Sequence, residues 1–485
     1  MEKTIADSMV DETMQKAKTA SQQFALLDQE QTNRILRAAY AAGFGQRKKL
    51  AEMAYDETGI GIVHDKTIKN IIATRFVYRD IKDQKTTGII SEDKKTGIVE
   101  IAKPLGPIFA VTPITNPTST ALFKILIALK TRNSLVIYPH GAARKSTIEA
   151  ARVCYEAALT EGAPENCIQW IPKASREQVL GFMSHHLTAM VMATGSVSLV
   201  RAAYSSGNPA IGVGPGNVPV YIGKTADVNF AVDQILMSKL FDNGTICASE
   251  QAVIASKFNA DEVVKVFKHK GAYFLNESEA ELVGKVCINT HTRSMNAEII
   301  GKPATFIAQL AGISVPKKTN LLIAPMNPDQ VGIKWPLSLE VLAPVLAFYR
   351  VENFEEGIAM CKKINEHGGM GHTVSIFSND HEKIRYFAQS LNAGRIVVNT
   401  PSSQGALGGL YNSLVPSMVL ACGSGGKNFT TDNISTRHLL NIQRIAYRKV
   451  NFCAEHQLAE AFCCNDNLTV DEIERLCSEN REAKK

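Results

Sequence analysis

Between Gln178 and Ala226 the chain contains no Asp or Glu, and the stretch is filled with glycines, hydroxyl residues and His185-His186. The gap excludes a carboxylate base from the segment leading into the most chemically suggestive loop. There is no CxxC pair and no secretory signal, and the ten cysteines are irregularly spaced. That usage points to a reducing cytoplasm rather than a disulfide framework. Cys463-Cys464 would need distant partners to hold zinc, so no metal is expected. Basic residues are scattered and not interleaved with aromatics, which gives no nucleic-acid signature. A formal charge of +6 suits either anionic ligands or a solvated surface. Two long charge-free stretches, 104–123 and 178–200, carry prolines or glycines and histidines, and neither reads as a membrane span.

What is present is a soluble globular composition long enough for two domains. Residues from about Lys3 to Ala54 have helical periodicity, and Asp28-Gln29-Glu30-Gln31 resembles a capping box before a second helix. Gly59-Ile60-Gly61 breaks the pattern. A strand is expected in 94–103, outside the main core. Strands then alternate with helices: Leu105 to Thr112, helix Ser119 to Lys130, Ser134 to Tyr138, helix Ser146 to Leu159, Ala189 to Ala193, and a helix through Tyr204. Such spacing implies an α/β fold with a doubly wound parallel sheet. A strand is expected at Val218 to Ile222, and a second α/β series follows Cys247, including strands Thr373 to Phe377 and Arg395 to Asn399. A short helix is expected at Thr469 to Glu479.

Six segments could carry chemistry. Cys247 lies on the loop Phe241-Asp242-Asn243-Gly244-Thr245-Ile246-Cys247-Ala248-Ser249-Glu250-Gln251, ahead of the apolar run Ala252-Val253-Ile254, and is the best nucleophile candidate. Thr194-Gly195-Ser196 follows a buried strand and opens a helix, which offers backbone N–H groups to a phosphate or is an ordinary turn. Gly212-Val213-Gly214-Pro215-Gly216-Asn217 allows close backbone approach to a ligand or another strand. Asn116, in Thr115-Asn116-Pro117-Thr118, is either a turn residue or a donor to an oxyanion. Glu340 is an acid in the apolar segment 339–345, matched to a ribose diol or to a structural partner. His372 precedes a strand and is either structural or a proton carrier.

Taken together and in order, these segments resemble the aldehyde dehydrogenase superfamily from about Gln15 to Arg448, and within it the aldehyde half of bifunctional acetaldehyde–alcohol dehydrogenases. Asn116-Pro117-Thr118-Ser119-Thr120, Ala202-Ala203-Tyr204-Ser205-Ser206-Gly207 and Asn399-Thr400-Pro401-Ser402-Ser403-Gln404-Gly405 add to the likeness. The resemblance implies two doubly wound α/β domains plus a small β-flap for oligomerisation. The expected limits are 1–235 for nicotinamide binding, 236–428 for the catalytic thiol, 429–450 for the flap together with the 94–103 strand, and 451–485 for a tail. It makes Cys247 the nucleophile and Asn116 an oxyanion donor, and His372 is kept, from its own position before a strand, as a candidate to handle protons near the thioester. Thr194, Gly195, Ser196, Gly214, Gly216 and Glu340 would form the cofactor site.

Two departures refine the function implied. Hydrolytic relatives carry a Glu that activates water where this chain reads Gly212-Val213-Gly214-Pro215-Gly216. Without it the acyl group on Cys247 passes to the thiol of coenzyme A. The Lys-Pro-Ser-Glu-like segment for the adenosine ribose is replaced by Tyr138-Pro139-His140-Gly141-Ala142, leaving NAD, which the family favours, and NADP open. The expectation is a reversible CoA-acylating aldehyde dehydrogenase for acetaldehyde. Propanal, succinate semialdehyde or sulfoacetaldehyde as substrate, a hydrolytic enzyme, an acyl-phosphate reductase and an inactive scaffold are the alternatives. A homo-oligomer is implied, and so is supply or removal of the aldehyde by a separate alcohol dehydrogenase or an aldehyde-producing lyase, since the iron-dependent half is not among the 485 residues. A terminal helix could direct such a protein into a bacterial microcompartment, or simply fray or dock.

Overall fold

The computed structural model describes residues 5–289, 292, 294–448 and 468–475. The helical periodicity at the start becomes α1 (Ile5–Ala25), α2 (Gln29–Gly45) and α3 (Arg47–Thr58). Asp28 opens α2 with a reciprocal box: its carboxylate accepts from the Gln31 N–H at 2.8 Å, and Gln31 Oε1 accepts from the Asp28 N–H at 3.0 Å. The box satisfies two donors that a helix start otherwise leaves orphaned. Gly59, left-handed at φ 62°, ends α3. Residues 63–81, to which the sequence reading assigns nothing, are helical: α4 (Val63–Ile71), a π-helical turn at Ile72–Phe76 and α5 (Val77–Ile81).

A small compact unit comprises Gly88–Ala102 and the described part of Ile442–Lys485. Its three-stranded sheet has β1 (Gly88–Asp93), β2 (Ile98–Pro104) and β17 (Leu440–Ala446) in that order. β1 is an addition to the single strand expected in 94–103. The tail expected at 451–485 lies mostly outside the described residues, although 470–475 are helical, as the 469–479 expectation requires.

The large unit, from the described residues of Met1–Thr87 and Lys103–Asn441, contains two all-parallel sheets. The first has β3 (Ile108–Val111), β4 (Leu135–Tyr138), β5 (Ile168–Trp170), β6 (Met190–Thr194) and β7 (Ala210–Val213) in the order β5-β4-β3-β6-β7. Around it run α6 (Pro117–Lys130), α7 (Arg144–Thr160), α8 (Arg176–Ser184) and α9 (Val197–Tyr204). α6 is buried along its whole length, its two lysines Lys124 and Lys130 included. Strand order reverses between β3 and β6, and open α/β sheets bind ligands beyond the carboxyl ends of strands at such a reversal.

The second sheet takes β8 (Val218–Ile222), β9 (Glu250–Ser256), β10 (Ala272–Phe274), β13 (Leu321–Met326), β14 (Val345–Val351), β15 (Gly371–Phe377) and β16 (Ala393–Val398) in the order β10-β13-β14-β9-β8-β15-β16. A two-residue hairpin, β11 (Ile288–Asn289) with β12 (Ser294–Met295), stands apart. The chain changes sheet between Val213 and Val218, earlier than the 235 boundary expected. The reason is packing: α10 (Val228–Leu240) buries Val228, Ala231, Val232 and Ile235 against β8 and β9. Among the described residues no helix is long and apolar enough to cross a membrane.

Candidate active site

Four neighbouring strands of the second sheet, β14, β9, β8 and β15, begin beside one another. Glu340, Cys247 and Gly216 sit just ahead of the first three, and His372 is the second residue of β15 rather than ahead of it. The thiol of Cys247 lies 3.2 Å from His372 Nε2. His372 Nδ1 is 2.9 Å from Thr373 Oγ1, which also accepts from Arg395 Nε at 3.2 Å. Arg395 Nη2 donates to the His372 carbonyl at 2.6 Å. Burial, reinforced by the Arg395 charge, holds the imidazole well below its ordinary pKa, so His372 is neutral at physiological pH. Burial and then the Glu340 charge push the Cys247 thiol up to about 12, so the sulfur rests protonated beside a neutral base.

Gly216 has a protein-side reason to be glycine: a Cβ there would stand 2.1 Å from the Cys247 carbonyl oxygen. Its N–H donates to Glu340 Oε1 at 2.8 Å. Burial raises the Glu340 carboxyl to about 8. Gly214 is different, since a Cβ would meet nothing within 4 Å. The two glycines grouped together as cofactor contacts therefore divide: Gly216 packs on the nucleophile loop and fixes Glu340, and Gly214 borders open space.

The nucleophile loop is wound tightly. Asp242, Asn243 and Gly244 are left-handed in succession, at φ 50°, 53° and 76°. For a residue with a Cβ that conformation costs about 1–2 kcal/mol. Side-chain and backbone partners hold it: the Asp242 N–H donates to Asp65 Oδ2 at 2.7 Å, and Asn243 Nδ2 donates to the Gly301 carbonyl at 2.9 Å. The Asp242 carboxylate, fully buried, accepts from the Ile62 N–H at 2.6 Å, from Lys66 Nζ at 3.0 Å, and from Lys69 Nζ. Burial alone would raise that carboxyl, but Lys69 and Lys66 together hold it below the ordinary range. Gly61 is the matching close approach, where a Cβ would fall 1.9 Å from Asp242 Oδ1.

Lys66 and Lys69 are functional candidates that the sequence reading misses, because α4 is an ordinary-looking charged helix. Lys69 Nζ also donates to Asn116 Oδ1 at 2.6 Å and to Thr245 Oγ1 at 2.8 Å. Asn116 stands at the start of α6, and its Nδ2 donates to Thr115 Oγ1 at 3.1 Å and towards the Thr245 carbonyl at 3.4 Å. The amide thus lies against the backbone two residues before Cys247.

At the carboxyl edge of the first sheet, Thr194 ends β6 and Ser196 caps α9, accepting from the Leu199 N–H at 3.4 Å. Gly195 between them has φ 158°, which is extended backbone. Lys124 of α6 reaches under this edge and donates to the carbonyls of Val111 at 2.7 Å and Met192 at 3.0 Å, and to Thr194 Oγ1 at 3.2 Å. Burial lowers its pKa to about 7. Thr112, just beyond β3, has a buried hydroxyl with no partner. A buried polar atom without a partner at a topological reversal fits a dinucleotide site. Near the end of β4, Glu57 of α3 caps α7, accepting from the N–H groups of Lys145 at 2.7 Å and Ser146 at 2.8 Å. Next to that cap, His140 Nδ1 accepts from the Ala142 N–H at 3.2 Å.

A cavity of about 320 Å³ opens beside the loop, walled by Ile68, Met237, Leu240, Phe241 and Leu410, with Asp65 as its charged member. The Phe241 ring centroid is 5.7 Å from Lys69 Nζ, so one wall of the cavity backs onto the group that holds Asn116. Among the described residues no group of three His, Cys, Asp or Glu side chains is placed to hold a metal ion.

The aldehyde dehydrogenase family model matches residues 3–416 of this chain. An aldehyde-alcohol dehydrogenase of Streptococcus pneumoniae serotype 4 is 44% identical over 456 residues, which is 93% of this chain and 51% of that protein. The chain thus spans about half the length of the curated relatives it matches at this level. The crystal structure of an acetylating aldehyde dehydrogenase from Geobacillus thermoglucosidasius superposes with a TM-score of 0.89 at 43% identity, covering 92% of this chain and 98% of that one. A Rhodopseudomonas palustris propionaldehyde dehydrogenase, solved with bound CoA and an acylated cysteine, superposes with a TM-score of 0.81 at 26% identity, covering 90% and 97%.

Proposed function

Because the chain belongs to the aldehyde dehydrogenase family, we propose that it is a CoA-acylating dehydrogenase of short uncharged aldehydes, acetaldehyde first, using NAD and working through a thioester on Cys247. The observation that carries this reading is the neutral His372 imidazole at 3.2 Å from the Cys247 sulfur, where a water-activating carboxylate is missing. A neutral Nε2 takes the thiol proton as the sulfur bonds to the aldehyde carbon. Asn116 Nδ2 donates to the oxygen that gains charge. Bound nicotinamide supplies the hydride acceptor, and Glu340 and Ser196 are the residues proposed to hold its nucleotide. The proton that His372 took from Cys247 leaves to solvent, and in the second half the neutral imidazole accepts the proton of the coenzyme A thiol and returns it to the departing Cys247 sulfur. Exchange of one thioester for another is nearly thermoneutral, so both directions are open.

Glu340, which accepts from the Gly216 N–H, has its carboxyl raised by burial to about 8, so at neutral pH it is mostly protonated and is not available as a base for water. The cavity beside Phe241 supports a small uncharged substrate. Its wall is mostly apolar, with Gln404 and Tyr411 as polar members, and its one charged residue, Asp65, is an acid, which disfavours succinate semialdehyde and sulfoacetaldehyde. NAD is proposed over NADP because the Glu57 carboxylate already occupies the start of α7, where a 2′-phosphate would meet repulsion. Oligomerisation through the β1-β2-β17 sheet, and exchange of aldehyde with an alcohol dehydrogenase or a lyase, complete the proposal.

The test is NADH formation from acetaldehyde with and without coenzyme A. Turnover that requires coenzyme A supports the reading; equal turnover without it makes water the acceptor and rejects it. The same assay with NADP in place of NAD tests the role given to Glu57.

A further inference from the structure

The three N–H groups of Lys69 are all committed: to Asn116 Oδ1 at 2.6 Å, to Thr245 Oγ1 at 2.8 Å, and to the Asp242 carboxylate. This arrangement decides which way round the Asn116 amide lies. An ammonium has only donors, so the atom facing it must be the carbonyl oxygen, and the NH₂ is turned the other way. It also decides where the NH₂ sits, because Thr245 and Asp242 belong to the same left-handed loop that delivers Cys247. One cation therefore joins the oxyanion donor to the nucleophile's backbone. We propose that Lys69 is the positioning residue of the oxyanion site, aligning and polarising the Asn116 amide so that it donates to the aldehyde oxygen as Cys247 attacks.

Three observations beyond the contacts support a functional part. First, the site is buried on every side, with Lys69 1% and Asp242 0% exposed. A hydrogen bond to an ionised group there is about twice as strong as a neutral one, so charge on Nζ passes through the amide to its N–H groups. Second, Asp242 already has a cation in Lys66, which donates to it and to the Thr115 carbonyl at 3.2 Å. A second buried lysine is more than neutralising the carboxylate requires. Third, the Phe241 ring covers Lys69 on the cavity side, keeping water from competing for the ammonium. The charged groups facing Lys69 are Asp242 from the loop, and Lys66 and Asp65 from its own helix. Burial first, and then Lys66, lower the Lys69 pKa to about 8 against the opposing pull of Asp242.

The inference rests on the thioester reading of Cys247, and the experiment separates the two. The measurement is the single-turnover burst of NADH on mixing enzyme, NAD and acetaldehyde without coenzyme A. Lys69→Met, Asn116→Ala and the double variant are compared with wild type, with Cys247→Ala as the control. Loss of one oxyanion donor costs about 10²–10³-fold in rate, and Lys69→Met should cost roughly 10²-fold. The double variant should be no slower than Asn116→Ala within about threefold, because residues that act as a unit are not additive. NADH affinity and the thermal midpoint are recorded for each variant so that a folding defect is recognised. Lys69→Arg, which keeps the charge, should recover part of the burst and remove the decline expected in wild type above about pH 8. A double variant slowed by the product of the two single effects, or a wild-type burst from Lys69→Met, overturns the inference and leaves Cys247 untouched. A burst that survives Cys247→Ala instead overturns the thioester reading.

Discussion

The amino edge of the second sheet and the carboxyl edge of the first meet at the same site, but they are built differently. At the first of these, the proposed reacting groups already have partners: Cys247 has His372, and His372 has the Thr373–Arg395 pair behind it. At the other, Thr112 Oγ1 is buried without a partner and Gly214 borders empty space. The groups that move protons and bear charge are fixed in advance by protein, where misplacement is costly to the rate. The groups that bind a nucleotide leave part of their hydrogen bonding for the ligand to complete. Preorganisation is concentrated where bonds change.

Paired glycine variants put the largest strain on that comparison. Gly216→Ala drives a methyl to 2.1 Å from the Cys247 carbonyl, with His372 Cδ2 3.4 Å away, so the nucleophile loop must shift. Activity should fall by at least about 10²-fold, as a displacement near 1 Å does at a reacting centre. Gly214→Ala, two residues away in open space, should keep stability within about 0.5 kcal/mol of wild type. Thermal midpoints and acetaldehyde turnover on both proteins check this. Equal damage from the two substitutions would mean that the amino edge is not the rigid one.

The same contrast explains what could be read before the structure. Strand–helix alternation from Leu105 onward is local patterning, and both parallel sheets follow from it. Glu340 stands out as an acid in an apolar segment and Cys247 as a thiol on a loop ahead of a buried strand, whereas Asn116 reads as a turn residue until the family resemblance singles it out. Lys66 and Lys69 do not stand out. Val63-His64-Asp65-Lys66-Thr67-Ile68-Lys69-Asn70 has the composition of a solvated helix face, and the carboxylate that buries it lies more than 170 positions away. Glu57 is hidden in the same way, capping a helix 88 residues on. His372 is legible as a residue but not as a partner, since its pairing with the thiol depends on β15, β8 and β9 lying side by side. Gly214 and Gly216 look alike in sequence, and only the path of the Cys247 carbonyl separates them.

His372 gives the next effect. With the thiol held protonated and the imidazole held neutral, both groups stay in their reactive forms through neutral pH. Lowering pH from about 7 to 6, below the titrations of Lys69 and Glu340, should therefore leave coenzyme A-dependent turnover nearly flat, because the imidazole protonates only below that window. A histidine at its ordinary value would instead cut the rate as pH falls through about 6.5. His372→Gln keeps a polar side chain without a base and should lower turnover about 10²-fold. A wild-type profile that halves near pH 6.5 would show that Arg395 and burial do not hold the imidazole neutral.

The smallest effect belongs to the open edge. Thr112 is nearly fully buried and its hydroxyl has no acceptor or donor within reach. Leaving such a group unpaired costs about 1–3 kcal/mol. Thr112→Val removes that penalty at nearly constant shape, so the protein without nucleotide should gain about 1 kcal/mol in stability, read as a higher thermal midpoint. If the hydroxyl waits for the nucleotide, the same variant should bind NADH several-fold more weakly, read by fluorescence titration. A gain in stability with unchanged NADH affinity would make Thr112 a defect of packing with no part in binding. A loss of stability would mean that the hydroxyl is already satisfied in solution, and the contrast between the two edges would narrow to Gly214 alone.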